Sequence, residues 1–513
     1  MSVNVSRRWF IGGLASFGAF GGCRVFRSAD GKYSQGKPNL AFGVVSDVHV
    51  RLGASGEGFA KDHDPSTLIH TFEWFRDNGA DAVMIVGDIA DKGLVKELQA
   101  VADAWYKVFP NDKAPDGRRV ERLFVYGNHD YEGATYGDYA KKIWADENER
   151  AKNVLRTDQK GNWERIFHEA YAPVYRKDVK GYAFIGGHWT ADHCRGKEEL
   201  GIEGIDAFFT ANAKSLDPKL PFFYYQHPHP KGTCYGDWAW GQDDGRATRA
   251  LSPFPNAIAF SGHSHTTLTH EKSIWQGAFT SVGTSSLRYT GGDYAKSRLP
   301  MGYENLGGST ETYEPFKVNA GYGSTMDGRQ GMLVRVYGDH ITFTRREFVY
   351  DQSLGDDWVL PLPAAESKPF AFTAHAARSI APEFAAGAEL CVSRAKGRNR
   401  GSKDAKKPVP AEEKDIFVLD FPAATAAKGG RAFEYEISIE EKAEGKKPVK
   451  KYLLAQGYNM STDNPRTKRP QQCSIASDQL PQNGDFRFSV RPVNSLLKAG
   501  RPIVSRWLNV GRV

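Results

Sequence analysis

From Leu40 onward the chain alternates between two hydrophobic periods. The short apolar runs "LAFGVVSD", "DAVMIVGD" and "RLFVYGNHD" read as buried strands. Between them, "DPSTLIHTFEWFRDNGA" and "LVKELQAVADAWYKVF" space their apolar residues for helices. The first has Asp64 as N-cap, Pro65 at the first helical position and Gly79 closing it. Strands alternating with helices predict an α/β sheet. Residues 131–180 read as a mostly helical insertion, after which "GYAFIGG", "PFFYYQH" and "NAIAFSGH" resume the strands, with "IEGIDAFFTANAKSL" as a helix among them. "GAFTSVG", "GMLVRVYGD" and "HITFTRREFVY" are late strands, the last two a hairpin turning at Gly338-Asp339. Residues 288–330 form an aromatic, Gly-rich loop far longer than most.

Past "WVLPLPAAESKP" the helical period disappears. "FAFTAH", "AELCVSRA", "DIFVLDFP", "RAFEYEISIEE", "KYLLAQGY" and "DFRFSVRPVN" all read as short alternating strands. The end, "FRFSVRPVNSLLKAGRPIVS", resembles the last hairpin of a fibronectin-III or immunoglobulin-like sandwich. The expected organisation is an α/β domain over 39–362 and a smaller all-β sandwich over 363–513. The stretch 393–407, "SRAKGRNRGSKDAKK", reads as a solvated hairpin loop.

Composition adds limits. With 513 residues, the chain is too long for one ordinary core. The net charge of +7, from 68 basic and 61 acidic residues, is small for this length and weighs against nucleic-acid binding. The N-terminus changes the picture more. "SRRWFIGGLASFGAFGGC" pairs Arg7 and Arg8 with an apolar run too short to cross a bilayer. It resembles a twin-arginine export signal over residues 1–23, followed by a linker over 24–38. Gly22-Cys23 resembles a lipoprotein cleavage site, with Phe20 in place of the usual Leu. The expectation is a bacterial protein exported to the periplasm or held at the membrane through a lipidated Cys23. In that compartment Cys194 can pair with Cys234 and Cys391 with Cys473; the alternative is four free thiols.

Candidate chemistry clusters at the strand exits. "SDVH" supplies Asp47 and His49, "GD" Asp88, "GNHD" Asn128 and His129, "YQHPH" His227, and "SGHSH" His263 and His265. Ligands of an open α/β sheet collect outside the carboxyl ends of its strands, so these motifs can converge. Residues i and i+2 of an extended segment point the same way, which would put Asp47 beside His49 and His263 beside His265. Asp88 can bridge two ions, with Asp47, His49 and His265 on one side and Asn128, His227 and His263 on the other. Mixed imidazole and carboxylate ligation suits two divalent transition-metal ions (Mn, Fe, Zn or Ni). Such a pair clamps a phosphoryl group and activates the attacking water as hydroxide. His129, left over in this count, is placed to protonate the leaving group, with Asp130 orienting it.

D-x-H, GD, GNHD, H and G-H-x-H, in this order, resemble the calcineurin-like metallophosphoesterases over about residues 40–350. The resemblance implies a four-layer αββα sandwich, a dinuclear centre, and hydrolysis of phosphomonoesters or phosphodiesters. Purple acid phosphatases place a tyrosine where this chain has Asp91, so a tyrosinate-bound ferric ion is not expected. The 5′-nucleotidase branch usually has GNHE in place of GNHD.

Trp238, Trp240 and Arg246, in a loop just after His227, are candidates to grip a small-molecule, glycan or lipid phosphoester; the alternative is an aromatic mini-core. His188 and His193 are weaker candidates for the pocket wall. His229 reads as a solvated loop residue, and His63, His70, His168 and His270 as helix or strand surface. The competing functional class is a binding or adhesion protein with a vestigial metal site, working through its C-terminal sandwich.

Overall fold

The computed structural model describes residues 36–135, 138–190, 204–235, 241–290, 328–399, 412–425 and 431–511, together with Tyr33 and Ile202. The region through residue 361 holds two sheets. One runs in the spatial order Gln352–Ser353, His340–Glu347, Gln330–Val336, Leu40–Val45, Ala82–Val86 and Glu121–Val125, with Trp358–Pro361 also paired to His340–Glu347. The other runs Val174–Val179, Tyr182–Gly187, Phe222–Gln226, Ala257–Ser261, Thr280–Gly283 and Ile274–Gln276. Leu40–Val45, Ala82–Val86 and Glu121–Val125 are parallel on one side of the first sheet, as are Tyr182–Gly187, Phe222–Gln226, Ala257–Ser261 and Thr280–Gly283 in the second, as expected where helices cross back over the sheet.

Side-chain alternation explains the layers. Phe42, Val44 and Met84 from the first sheet meet Phe184, Phe223 and Phe260 from the second in a dry core. The opposite face of the first sheet, with Val45, Ile85 and Phe124, is covered by Phe72, Phe75, Leu98 and Trp105 of helices Ser66–Asp77 and Val95–Val108. Ile185, Tyr224 and Ala259 on the outer face of the second sheet are covered by Ile205, Phe209, Ala247 and Leu251 of helices Ile205–Asn212 and Arg246–Leu251. The result is a four-layer αββα sandwich. The first helix starts one residue later than expected, and the Asp64 carboxylate accepts from the Ser66 N–H at 2.8 Å.

The C-terminal region carries two further antiparallel sheets. Three strands, Cys391–Asn399, Glu412–Phe421 and Gln471–Ala476, face four, Val449–Leu454, Glu434–Glu441, Phe486–Val493 and Ile503–Val504. Phe417, Leu419 and Ile475 of one share a core with Tyr435, Ile437 and Phe488 of the other. The connection beyond 361 still packs on the first region, where Ala364 and Phe370 are buried in its inter-sheet core.

Several expectations are corrected. The 131–180 insertion ends in the strand Val174–Val179, an edge whose mostly half-exposed residues hide the strand period. "FAFTAH" runs into a helix, Phe372–Arg378, rather than forming a strand. The basic stretch from 393 begins as strand, since Cys391–Asn399 pairs along its length with Glu412–Phe421. Cys391 and Cys473 do not bridge, because that same strand lies between theirs. Cys234 is buried and unbridged, and Cys194 lies outside the described residues. The N-terminal signal lies outside them too. Among the described residues, no helix is long and apolar enough to cross a membrane.

Candidate metal centre

Each donor leaves the carboxyl end of a parallel strand: Asp47 and His49 after Leu40–Val45, Asp88 after Ala82–Val86, Asn128 after Glu121–Val125, His227 after Phe222–Gln226, and His263 and His265 after Ala257–Ser261. The local reason they converge is not the one expected. Neither D-x-H nor H-x-H is extended. Asp47, His49, Asp88, His263 and His265 all have left-handed backbones, with φ of 52°, 48°, 51°, 67° and 54°. Such a conformation costs a non-glycine residue roughly 1–2 kcal/mol. It persists here because surrounding main-chain hydrogen bonds hold it, among them Asp47 N–H to Gly87 O (3.1 Å) and His49 N–H to Asp88 O (3.0 Å).

Ligand atoms of Asp47, His49, Asp88 and His265 all lie within 4.8 Å of one another, and so do those of Asp88, His227 and His263. Asp88 belongs to both groups. Its Oδ2 is 3.7 Å from His49 Nε2 and 3.2 Å from His227 Nε2, while Oδ1 accepts from the His129 N–H at 2.8 Å. Imidazole nitrogens face one another at 3.3 Å (His49 and His265) and 3.2 Å (His227 and His263). Asp47 Oδ1, although 2.9 Å from His265 Nε2, has no donor in line with it, and the buried Asn128 Oδ1 has no hydrogen-bond partner. Buried oxygens left without a donor, beside imidazole nitrogens that face one another, are what a cation would complete. Seven donors of mixed imidazole, carboxylate and amide character fit two transition-metal ions.

The outer nitrogens are already committed. His227 Nδ1–H donates to Val86 O (2.7 Å), His265 Nδ1–H to Tyr289 O (3.0 Å), and His49 Nδ1–H to Asp91 Oδ1 (3.0 Å), which turns each Nε2 inward. Burial disfavours charge at His49, but the Asp47 carboxylate 3.8 Å away and the hydrogen bond to Asp91 outweigh it and raise its pKa to about 10. At His227 burial is likewise outweighed, by Asp88 and Asp47, and the pKa rises to about 9. Burial would raise Asp47 and Asp88, yet the facing histidines hold both below the ordinary carboxylate range.

His129 is set apart. Its side chain is 23% exposed, against 0% for His49 and His227. Its Nδ1–H donates to the Asp91 main-chain carbonyl at 2.8 Å, and its ring meets His49 edge-on at 4.6 Å. Burial lowers its pKa, against the pull of Asp88. Asp130 does not orient this ring, contrary to expectation. Its carboxylate is turned into the protein, accepting from the main-chain N–H groups of Gly127 (2.7 Å), Ala90 (2.7 Å) and Ile89 (3.1 Å). It stands in the first turn of the short helix Asn128–Glu132 and ties that turn to the Asp88 loop. Burial raises its pKa to about 7 despite those donors.

Asp91 and Tyr289 are residues that sequence reasoning did not place in the site. Asp91 holds both His49 and His129, and is itself paired with Lys92 at 3.1 Å. Its position three residues after Asp88 was the available signal. Tyr289 stacks on His265 (4.4 Å) and His49 (5.3 Å), and no local motif marks it. The Arg246 guanidinium is paired with Asp244 at 2.9 Å. Trp238, Trp240 and His193 lie outside the described residues. Three histidines read as surface or solvated are buried: His63, which donates to His49 O at 2.9 Å; His229, between the Ser261 and Ser264 hydroxyls at 2.6 and 2.8 Å; and His270, edge-on to Phe433. His188 is enclosed by aromatic rings, where its Nδ1 accepts from the Tyr126 N–H at 3.1 Å.

Sheets, helices and donor placement together define a metallophosphoesterase α/β sandwich followed by additional β-sheets. Residues 40–267 match the family model of the calcineurin-like phosphoesterases, so the stretch carrying that domain contains every donor from Asp47 to His265. Similar solved structures include a dimetal phosphatase from Danio rerio, 12% identical, covering 63% of this chain and 99% of its own, with a TM-score of 0.33. A purple acid phosphatase from yellow lupin (Lupinus luteus) seeds is 12% identical over 63% of this chain and 54% of its own, with a TM-score of 0.34. A comparison with curated proteins finds no match.

Proposed function

We propose that this chain is an exported bacterial phosphohydrolase that cleaves a phosphomonoester or phosphodiester with two divalent transition-metal ions. The observation that carries this reading is Asp88, whose carboxylate belongs to both donor groups at once. When bound, such ions supply Lewis acidity toward phosphoryl oxygens and an acidified water. The chain supplies the rest. Asp47, His49 and His265 would hold one ion, Asn128, His227 and His263 the other, and the Asp91, Val86 and Tyr289 acceptors keep His49, His227 and His265 turned inward.

His129, its Nδ1 anchored on the Asp91 carbonyl, has Nε2 with which to pass a proton to the leaving oxygen. Its lowered pKa makes the imidazolium a readier acid. The substrate class is a small-molecule, glycan or lipid phosphoester. The export reading is supported by Arg7-Arg8 and the apolar run after them, and membrane attachment by Cys23.

The test is turnover of p-nitrophenyl phosphate and bis-p-nitrophenyl phosphate by chelator-stripped chain, before and after Mn²⁺ is restored. Metal-dependent release from either supports the proposal, and the ratio assigns ester class. No turnover of either with two ions bound would sink it. Changing Arg7 and Arg8 to Lys should leave the precursor in the cytoplasm of an expressing bacterium.

A further inference from the structure

The C-terminal sheets reach the first region close to the metal centre. The loop after Val449–Leu454 presents Tyr458 O to Thr269 Oγ1–H at 2.5 Å and Asn459 O to Gln330 Nε2–H at 2.6 Å. The Asn459 amide nitrogen donates to Thr290 Oγ1 at 3.0 Å. Thr269, Thr290, Gln330 and Asn459 are all buried, at 3%, 0%, 0% and 1% exposure. From its own side the loop is held by Arg431, whose guanidinium donates to the carbonyls of Tyr458 and Met460.

Gln330 joins these contacts to the donors. Its Oε1 accepts from Leu268 N–H (2.7 Å), Thr267 Oγ1 (3.0 Å) and Ser285 Oγ (3.2 Å), and its own N–H donates to Ser286 O (2.8 Å). Ser286 Oγ–H then reaches Asp47 O at 3.1 Å, and Leu287 N–H reaches Ser46 O at 2.9 Å. Thr290 directly follows Tyr289, whose carbonyl sets which His265 nitrogen faces inward. Buried groups of this kind have no water to fall back on, so each hydrogen bond constrains the segment that makes it.

We propose that Asn459 is a positioning residue of the metal centre: through Thr290 and Gln330 it fixes the segments flanking His265, so the C-terminal sheets help bind the ion on the Asp47, His49 and His265 side. This rests on the dinuclear reading above. The test is calorimetric titration of the full metal-free chain with Mn²⁺, with His265→Ala identifying which of two binding events belongs to that side. Asn459→Ala and Thr290→Val should each weaken that event about 10- to 100-fold and leave the other nearly unchanged. The double variant should be no weaker than the weaker single, since both remove the Asn459–Thr290 hydrogen bond. Thr290→Ser, which keeps the hydroxyl, should titrate like the wild type.

Thr290→Val removes one hydroxyl and carries the test if Asn459→Ala does not fold. Two unaltered events in the variants, or equal weakening of both, would overturn the inference alone. A wild-type chain that binds no Mn²⁺ would overturn it together with the dinuclear reading.

Discussion

His129 and the candidate ligand histidines differ in what their rings face, and that difference sets what each substitution should do. His129 is partly exposed and held from behind by a carbonyl, so His129→Ala should leave two Mn²⁺ sites intact by calorimetry. Its kcat should fall about 10²- to 10⁴-fold, most for esters with poor leaving groups. Asp91 acts one step further out. Asp91→Asn removes the carboxylate behind His49 and should weaken Mn²⁺ binding by about 10- to 100-fold on that side. The raised pKa values of His49 (about 10) and His227 (about 9) carry a sign. Both must lose a proton to ligate, so Mn²⁺ affinity should rise with pH from 6 toward 9, with proton release measurable in buffers of different ionisation enthalpy.

At the level of elements, the strand-to-loop turns carry the strain. Five donors sit in left-handed backbone, and the glycines beside them leave no room for a methyl group. A Cβ on Gly262 would fall 2.6 Å from Asp47 Oδ2 and closer still to Ser46 Oγ. Gly127 stands likewise against Asp88, and Gly87 against His227. Gly262→Ala should therefore displace Asp47 and abolish one Mn²⁺ event while far-UV circular dichroism stays unchanged. The sequence marked these turns as polar strand exits, and Gly-Asp, Gly-Asn and Gly-His were legible as such. Their left-handed geometry was not, because D-x-H fits an extended segment equally well until the neighbouring strands supply their hydrogen bonds. Val174–Val179 escaped for a related reason: an edge strand packed on one side shows little alternation.

Across the whole molecule, buried neutral histidines couple stability to pH. Burial holds His63 down to about 4, and His188, His229 and His270 to about 3. In the unfolded chain these rings titrate near 6.5. Between that value and about 3–4 the unfolded state binds more protons, so each histidine's contribution is intact above 6.5 and lost as pH falls through the window. The thermal midpoint should drop steeply from pH 6.5 to 4. His188→Gln, lacking a titrating ring, should show a shallower drop over the same range. His63 donates to the main chain of His49 within the first region, and His270 ties that region to the C-terminal sheets by packing on Phe433. Acid should therefore loosen the metal centre and the inter-region contact as well as the core.

The strand-and-helix alternation, the apolar faces, and the side chains at the strand ends can be read along the chain alone. Those are local properties, written in period and in the residue that follows each apolar run. Which donors face one another, which carbonyl or carboxylate turns each imidazole, and that Asp130 serves the backbone while Asp91 serves His49 and His129, all follow from the tertiary structure. His49 and His265 face one another at 3.3 Å across 216 positions of chain, and Asn459 reaches Thr290 across 169. Pairings at such separations depend on how two sheets stack and where the C-terminal region docks. No window along the chain contains that, because it arises only when all the buried faces are satisfied together.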